Sequence, residues 1–344
     1  MNVNKNLPIK LTEVCLRDGS HVVSHQYTED QVRSVTRALD RAGMHYIEVS
    51  HGDGLGGSTL QYGRSLVNEM RLIEAAVEES KQAKIAVLLI PGIGTVHELK
   101  QAHGLGAKLV RVATHVTEAD VSAQHIAMAR ELGMESVGFL MMAHMAPFEK
   151  LVEQAKLMES YGAQAVYVTD SAGALLPHQV RERIRALRES VDIEIGFHAH
   201  NNLSLAVANT LVAIEEGATR IDGSVRCLGA GAGNTQTEVL VAVLNKMGID
   251  LGIDIYKMMD LAEDIVKPLI PGSQEISKGS LVMGYAGVYS SFLLHAERAS
   301  KRSNLDPRDI LLELGKRKVV GGQEDMILDI AAEMANKNKV EVQS

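Results

Sequence analysis

The sequence predicts an α/β fold, a TIM (β/α)8 barrel followed by a C-terminal helical domain. Between residues 10 and 247, eight short apolar or β-branched segments alternate with amphipathic stretches of helical periodicity. Polar and ionisable residues gather where the apolar segments end, and barrel enzymes carry their active sites at that end of the strands. An open doubly wound sheet is the alternative, and both the count of eight units and the placement of the polar residues favour the barrel.

The alternation defines the predicted elements in chain order. The predicted strands are 11–15, 46–50, 85–90, 109–113, 136–141, 165–169, 193–198 and 220–223. The predicted helices between them include 29–42, 65–80, 118–132, 148–161, 177–190 and 203–216. Gly43, Gly133, Gly162 and Gly217 follow four of these helices, and we expect each glycine to form a left-handed cap.

The alternation of strands stops after about residue 250. Pro268 and Pro271 interrupt the chain, and three helical patterns follow, at about 280–300, 307–317 and 323–337. The second pattern has a favourable start, with a capping Asp306 and a proline at its first helical position. We therefore predict a catalytic barrel over residues 1–270 and a helical domain over residues 271–344.

Composition excludes several classes of protein. The chain of 344 residues is 46% hydrophobic and 23% charged, which allows a large core and argues against disorder. Its net charge of -8 argues against nucleic acid as a partner. No apolar run approaches the roughly 20 residues of a membrane helix, and residues 1–10 lack the apolar core of a signal peptide. With only Cys15 and Cys227, we expect a reduced, cytoplasmic protein without disulfides.

Two histidines at the end of the seventh predicted strand indicate a metal site. His198 and His200 are two residues apart, so on an extended backbone both side chains point to the same face. Asp18, at the end of the first predicted strand, offers an oxygen ligand. This set suits Mn²⁺, Fe²⁺, Co²⁺ or Zn²⁺, and the pattern does not choose among them. Alternatively, the histidines are hydrogen-bonded residues of the barrel rim.

Arg17 and His21 flank the candidate ligand Asp18. Arg17 would be a fixed cation that stabilises an enolate oxygen, and Glu48 at the end of the next strand could hold its guanidinium. An unperturbed histidine titrates near neutrality, so His21 is a candidate general base. Four other histidines compete for that role: His25, His51, His115 and His144.

The positions of lysine separate two mechanisms. Lys10, Lys84 and Lys108 stand at strand beginnings, and no predicted strand ends in lysine. A Schiff-base aldolase needs a lysine at the working face, so a metal-stabilised enolate is favoured over an imine.

The glycine-rich segment 229–234 could cradle an anion or be a tight connection. It matches neither the P-loop nor the dinucleotide fingerprint.

Several segments together resemble the DRE-TIM metallolyases. That superfamily includes 3-hydroxy-3-methylglutaryl-CoA lyase, isopropylmalate synthase and the 4-hydroxy-2-oxovalerate aldolases. The segments are 16–19, 47–49, 169–173, 198–201 and 229–234. A second set is similar to the aldolases in particular: His21 and the segments 25–27, 51–55, 89–95 and 287–292. The likeness covers essentially the whole chain, and Ile90, where relatives often have Leu, is a departure near the substrate pocket.

The resemblance implies a pyruvate-specific class II aldolase. A divalent metal, usually Mn²⁺ or another such as Co²⁺, would be held by Asp18, His198 and His200. It would be chelated by 4-hydroxy-2-oxopentanoate through its carboxylate and keto oxygens. His21 would take the 4-hydroxyl proton, and Arg17 would stabilise the pyruvate enolate after acetaldehyde leaves. The resemblance also implies that Ser171 contacts substrate, that Tyr289 of the tail reaches the active site, and that Asn234 is structural.

The resemblance implies a partner as well. These aldolases form a hetero-oligomer with an acylating acetaldehyde dehydrogenase, and the volatile aldehyde passes through a channel in aromatic or steroid meta-cleavage catabolism. Leu88, Leu89 and Pro91 are candidates for the aldehyde end of the pocket. Two alternatives stay open. One is a Claisen-type acyl-CoA lyase or synthase on the same barrel, and the other is a barrel that serves the dehydrogenase only as a scaffold.

Overall fold

Eight parallel strands close into a barrel, which confirms the predicted fold class. The computed structural model describes residues 7–343, and the side chains of residues 7–337. Each strand pairs with the next in chain order, and the last pairs with the first. The strands are β1 Lys10–Glu13, β2 Tyr46–Glu48, β3 Lys84–Leu89, β4 Leu109–His115, β5 Glu135–Met141, β6 Ala165–Asp170, β7 Glu194–Ala199 and β8 Arg220–Gly223. The absence of a signal peptide, expected from residues 1–10, concerns residues that lie partly outside this range.

The helices of the barrel surround the strands and bury one face against them. They are α1 Glu29–Ala42, α2 Glu69–Glu79, α3 Val96–Leu105, α4 Ala123–Glu131, α5 Phe148–Tyr161, α6 Pro177–Arg188, α7 Ala206–Glu215 and α8 Thr237–Lys246. Helix α2 begins four residues later than predicted because the Asn68 side chain caps it by accepting from the Met70 amide. The predicted glycine caps are confirmed, with φ between 72° and 105° at Gly43, Gly133, Gly162 and Gly217.

A C-terminal helical region follows the barrel. It contains α9 Ile255–Asp260, α10 Lys278–Ala286, α11 Leu293–Ser303, α12 Pro307–Arg317 and α13 Asp325–Gln343. The prediction of one helix at about 280–300 is wrong, because Gly287 takes a left-handed conformation with φ 68° and ends α10. The side chains of Met283, Phe292 and Ile310 belong to an apolar core that is separate from the barrel core.

The inside of the barrel carries charge at both ends. Arg220 lies at the N-terminal end and pairs with Glu135 and Glu194, whereas Arg111 lies deeper, towards the C-terminal end. An apolar cluster that includes Phe139 and Tyr167 packs inside the barrel with these charged groups. Cys15 and Cys227 are both free and buried. None of the helices in residues 7–343 combines the length and apolar character that a membrane crossing requires.

Candidate active site

Three candidate metal ligands converge at the C-terminal end of the barrel. Asp18 lies in a 3-10 turn just after β1, and His198 and His200 lie at the end of β7. The Asp18 Oδ2 atom is 3.7 Å from His198 Nε2 and 3.8 Å from His200 Nε2. The two Nε2 atoms are 3.4 Å apart, and all three side chains are buried. The spacing of two residues on one strand thus brings both rings to one side, beside the carboxylate.

The hydrogen bonds of the two histidine rings indicate which ring nitrogen carries a proton. His198 Nδ1 is 2.7 Å from Asp222 Oδ2, and His200 Nδ1 is 3.2 Å from the Ala230 carbonyl oxygen. Both partners only accept, so each ring donates a proton from Nδ1, and in that tautomer the lone pair lies on Nε2, which faces the other ring. Burial lowers the pKa of His200 to about 4. Two lone pairs and a carboxylate oxygen that converge in this way fit a divalent cation.

Asp18 is held on both of its oxygens. Its Oδ2 accepts from Arg17 Nη1 at 2.7 Å, and its Oδ1 accepts from the Ala230 amide at 3.0 Å. Burial alone would raise the pKa of this carboxyl, but the Arg17 guanidinium, followed by the His200 and His198 rings, outweighs burial and holds the pKa far below its usual range. The glycine-rich segment 229–234 therefore uses a backbone amide, that of Ala230, to hold the carboxylate of Asp18.

Arg17 has one free donor beside the ligand cluster. Its Nε donates to Glu48 Oε2 at 2.6 Å, which is the contact suggested by the sequence. Its Nη1 reaches Asp18, whereas its Nη2 is buried and has no hydrogen-bond partner among the described residues. A buried guanidinium N–H without a partner is costly in a resting protein, and it is suited to an anionic oxygen of a substrate.

Two charged residues in the middle of strands complete the site, and the sequence reasoning missed both. Arg111 of β4 donates to both oxygens of Glu48 and also to Asp222 of β8. Asp222 in turn accepts from His198. The signal was present in the sequence, because an arginine within the apolar run 109–113 and an aspartate within the last strand should otherwise be avoided in a barrel interior.

His21 lies at the edge of the site within a group of histidines. Its ring meets the ring of His25 edge-on at 4.9 Å, and His25 stacks on His51 at 3.8 Å. His25 is engaged through Ser20 Oγ at 2.9 Å and a backbone hydrogen bond at Tyr62. Burial lowers the pKa of His25 to about 2 and that of His51 to about 4.

The other candidate bases are engaged, whereas His21 is not. His115 contacts Thr117 Oγ1 at 2.7 Å, and His144 Nε2 is 3.0 Å from the Gly287 carbonyl oxygen. The His21 ring has no hydrogen bond within the described part of the chain, and it lines a small cavity of about 190 Å³. His21, His25 and Asp53 also place their donor atoms within 4.8 Å of one another, but His25 has no free nitrogen for a metal.

A cavity of about 300 Å³ opens where the tail meets the barrel. Tyr289 lines it from the tail, and burial raises the pKa of this phenol. Of the three candidates for the aldehyde end of the pocket, Pro91 lines this cavity beside Ile90, whereas Leu88 and Leu89 are buried and do not line it. The cavity therefore joins the ends of β3–β5 to the helical region.

Ser171 and Asn234 take part in backbone contacts near the site. The Ser171 hydroxyl oxygen accepts from the Met142 amide at 2.9 Å, and its carbonyl oxygen accepts from the Ser290 hydroxyl at 2.7 Å. Asn234 Nδ2 donates to the Leu228 carbonyl oxygen at 3.0 Å, and its buried Oδ1 has no hydrogen-bond partner among the described residues. Ser171 thus connects the end of β6 to the tail.

Comparisons with known proteins identify the class of protein to which the chain belongs. The fold and the site define a lyase-type TIM barrel, and a family model described as HMGL-like matches residues 8–265. A second model, described as a DmpG-like communication domain, matches residues 274–336.

Curated relatives narrow the class further. The 4-hydroxy-2-oxovalerate aldolase of Bacillus thuringiensis is 81% identical over 99% of this chain and 100% of the relative. The proteins of that name from Geobacillus stearothermophilus and Moorella thermoacetica are 73% and 58% identical. They match 97% and 96% of this chain, and in each case 97% of the relative. The chain belongs to the 4-hydroxy-2-oxovalerate aldolase family.

Solved structures of distant proteins share the fold. The carboxyl transferase domain of Rhizobium etli pyruvate carboxylase aligns with a TM-score of 0.82 at 16% identity, over 97% of this chain and 61% of that one. The HMG-CoA lyase of Bacillus subtilis aligns with a TM-score of 0.69 at 21% identity, over 79% and 97%. At these identities the likeness concerns the fold alone.

Proposed function

We propose that this chain is a divalent-metal-dependent aldolase that cleaves 4-hydroxy-2-oxopentanoate to pyruvate and acetaldehyde. The observation that carries the proposal is the unpartnered Nη2 of Arg17 beside the converging donors of Asp18, His198 and His200. This pairing suits a reaction in which negative charge develops on an oxygen next to a cation. The name of the relatives favours this reaction over the acyl-CoA lyase or synthase alternative.

The charges of the buried site support a divalent cation. Two guanidinium groups, Arg17 and Arg111, face three carboxylates, Asp18, Glu48 and Asp222. Their neighbours hold the pKa of all three carboxyls below its ordinary value despite burial, so the cluster has an excess of negative charge. We propose Mn²⁺, with Co²⁺ as a substitute. When bound, such an ion orients the 2-oxo acid and polarises its carbonyl group.

The residues of the chain would then divide the reaction between them. His21 takes the proton of the 4-hydroxyl group while the C3–C4 bond breaks, and acetaldehyde leaves. The electron pair of that bond forms the pyruvate enolate, whose oxygen accepts a hydrogen bond from Arg17 Nη2. A proton delivered to C3 completes pyruvate. Ser171 and Tyr289 are proposed to contact the substrate from β6 and from the tail.

The tail suggests where the aldehyde goes. The match to a communication domain and the cavity between the tail and the barrel support a hetero-oligomer with an acylating acetaldehyde dehydrogenase. We propose that residues 1–270 carry the chemistry and residues 271–344 communicate with that partner. Such a pair would serve the meta-cleavage catabolism of aromatic compounds or steroids in the cytoplasm.

Metal removal tests the proposal. We expect the chelator-treated protein to release no pyruvate from 4-hydroxy-2-oxopentanoate, and added Mn²⁺ to restore the rate. Pyruvate is measured with a coupled lactate dehydrogenase assay. Full activity of the stripped protein would contradict the mechanism.

Two variants identify which cluster binds the ion. Asp18→Ala should lose Mn²⁺ binding in equilibrium dialysis, because it removes the oxygen between the two histidines. Asp53→Ala, in the neighbouring cluster with His21 and His25, should retain it. The reverse result would move the metal site to the histidine group.

A further inference from the structure

We infer that Arg111 is a positioning residue that couples the two halves of the site, Arg17 on one side and His198 on the other. The inference rests on the proposed function. Arg111 lies in the middle of β4, and its side chain is only 1% exposed. It has no hydrogen bond to the Asp18 carboxylate, and it does not line the cavity. It would therefore act through other side chains.

The contacts form a continuous path across the barrel. Arg111 Nε donates to Glu48 Oε1 at 2.7 Å, and its Nη2 donates to Glu48 Oε2. That same Oε2 accepts from Arg17 Nε at 2.6 Å. On the other side, Arg111 Nη1 donates to Asp222 Oδ2, which also faces His198 Nδ1 at 2.7 Å. One guanidinium thus fixes both carboxylates that orient the catalytic arginine and the metal-binding histidine.

Aromatic rings keep the guanidinium in place. Its central carbon lies 4.5 Å from the centre of the Phe139 ring and 5.5 Å from that of Tyr167. The Phe139 ring also meets the His198 ring at 5.3 Å, so the same side chain packs against both groups. Three directed N–H bonds and a flat cation over a ring require an arginine. A lysine would keep the charge and lose the fork.

Electrostatics make the two halves depend on each other. Arg111 carries the buried positive charge that pairs with both Glu48 and Asp222. If the fork is lost, Glu48 is left with Arg17 alone, and Asp222 no longer has a fixed position against His198. Partners of metal-binding histidines typically contribute 10- to 100-fold to metal affinity, so about that loss is expected.

Arg220, which like Arg111 is a buried arginine on a barrel strand, is a matched control. The side chain of Arg220 in β8 is 3% exposed, it pairs with Glu135 and Glu194, and its guanidinium lies 5.0 Å from the Tyr46 ring. It has the same chemistry and a similar burial, but it lies at the N-terminal end of the barrel. Arg220→Lys should cost stability without changing the site.

The experiment compares Arg111→Lys with Arg220→Lys in the full chain. Free Mn²⁺ is titrated by electron paramagnetic resonance, kcat and KM are measured at saturating Mn²⁺, and Tm is recorded. For Arg111→Lys we expect a Kd for Mn²⁺ that is about 10 to 100 times higher. Its kcat should be at least about tenfold lower even at saturating metal, because Glu48, the partner of Arg17, is no longer held in a fixed position. For Arg220→Lys we expect a lower Tm, with Kd and kcat within about twofold of wild type.

The outcomes separate the inference from the proposed function. If Arg111→Lys changes only Tm, or only one of the two other quantities, the coupling is refuted while the aldolase activity of the wild type stands. If the wild type itself neither binds Mn²⁺ nor cleaves the substrate, the proposed function fails instead.

A second pair of variants covers the case in which Arg111→Lys does not fold. Asp222→Asn should raise the Kd for Mn²⁺ and Glu48→Gln should lower kcat at saturating Mn²⁺, because each change disturbs one half of the path. Wild-type values in either variant would overturn the inference.

Discussion

At the scale of single residues, the site is built around the fork of Arg17. Two of its nitrogens are occupied, by Glu48 and Asp18, and these contacts aim the third nitrogen into the site. The direction of the free N–H is therefore set by carboxylates from two strand ends. A charge in the same place without this geometry would not replace it.

Replacing Arg17 with lysine should show the difference between charge and geometry. We expect kcat to fall by about 100-fold or more, because the donor to the enolate oxygen is lost while one positive charge remains. Arg37→Lys, on the exposed face of α1, is the control and should keep the wild-type kcat. A kcat for Arg17→Lys within a few-fold of wild type would argue against a directed hydrogen bond.

The proposed role of His21 as the general base is tested by the kinetics of a variant. His21→Ala should lower kcat by about 10²- to 10⁴-fold, as is usual when a general base is removed. His97→Ala, on exposed α3, serves as the control. A kcat for His21→Ala within a few-fold of wild type would exclude His21 as the base.

At the scale of secondary-structure elements, Glu13 joins β1 to the start of the last βα loop. Its Oε1 accepts from the Val225 amide at 2.8 Å, and its Oε2 accepts from the Thr237 hydroxyl at 2.6 Å. Burial raises the pKa of this carboxyl to about 7, although the hydrogen bonds oppose the shift. The closure of the barrel between its first and last units therefore involves a titrating group.

The raised pKa predicts how stability depends on pH. Because the folded state holds this proton more tightly than the unfolded chain, Glu13 favours folding at low pH, and this stabilisation is lost as pH rises from about 4.5 to about 7. Glu13→Gln should remove up to about 3 kcal/mol of that change in unfolding free energy. Urea unfolding at several pH values measures it, with Glu182→Gln on exposed α6 as control. Equal slopes in Glu13→Gln and wild type would contradict the assignment.

The elements show what the sequence can and cannot predict. Periodicity located all eight strands and the main helices, because apolar alternation is a local signal. The pairing of Arg111 with Glu48 and Asp222 was not predictable in the same way, since it depends on which residues of three distant strands face the interior at one level. Likewise, the break at Gly287 follows from a tail fold that the pattern at 280–300 did not reveal.

At the scale of the whole molecule, the tail supports the candidate metal site through the glycine-rich segment 229–234. Gln274 Nε2 donates to the carbonyl oxygens of Gly229 at 3.0 Å and Gly231 at 2.8 Å. Between these two residues, the Ala230 amide donates to Asp18. A residue of the C-terminal region thus steadies the segment that holds a candidate metal ligand.

This arrangement predicts a long-range effect of the tail. Gln274→Ala should weaken Mn²⁺ binding several-fold, because the loop that holds Asp18 loses two hydrogen bonds, and a titration of free Mn²⁺ measures it. Gln61→Ala removes another contact between barrel and tail, a hydrogen bond from Nε2 to Glu324 at 3.0 Å, and should leave the affinity unchanged. Equal effects of the two variants would show that the tail acts only through general stability.

The excess of buried carboxylates over guanidinium groups predicts that the half-life of the protein in the cell depends on the supply of the ion. Without a cation, the three buried carboxylates face only two guanidinium groups, and we expect a larger fraction of molecules to open. Opened chains are cut by proteases, so we expect a shortage of the ion to lower the amount of enzyme as well as its turnover. A pulse-chase comparison of replete and depleted cells should show a shorter half-life under depletion, and equal half-lives would refute this.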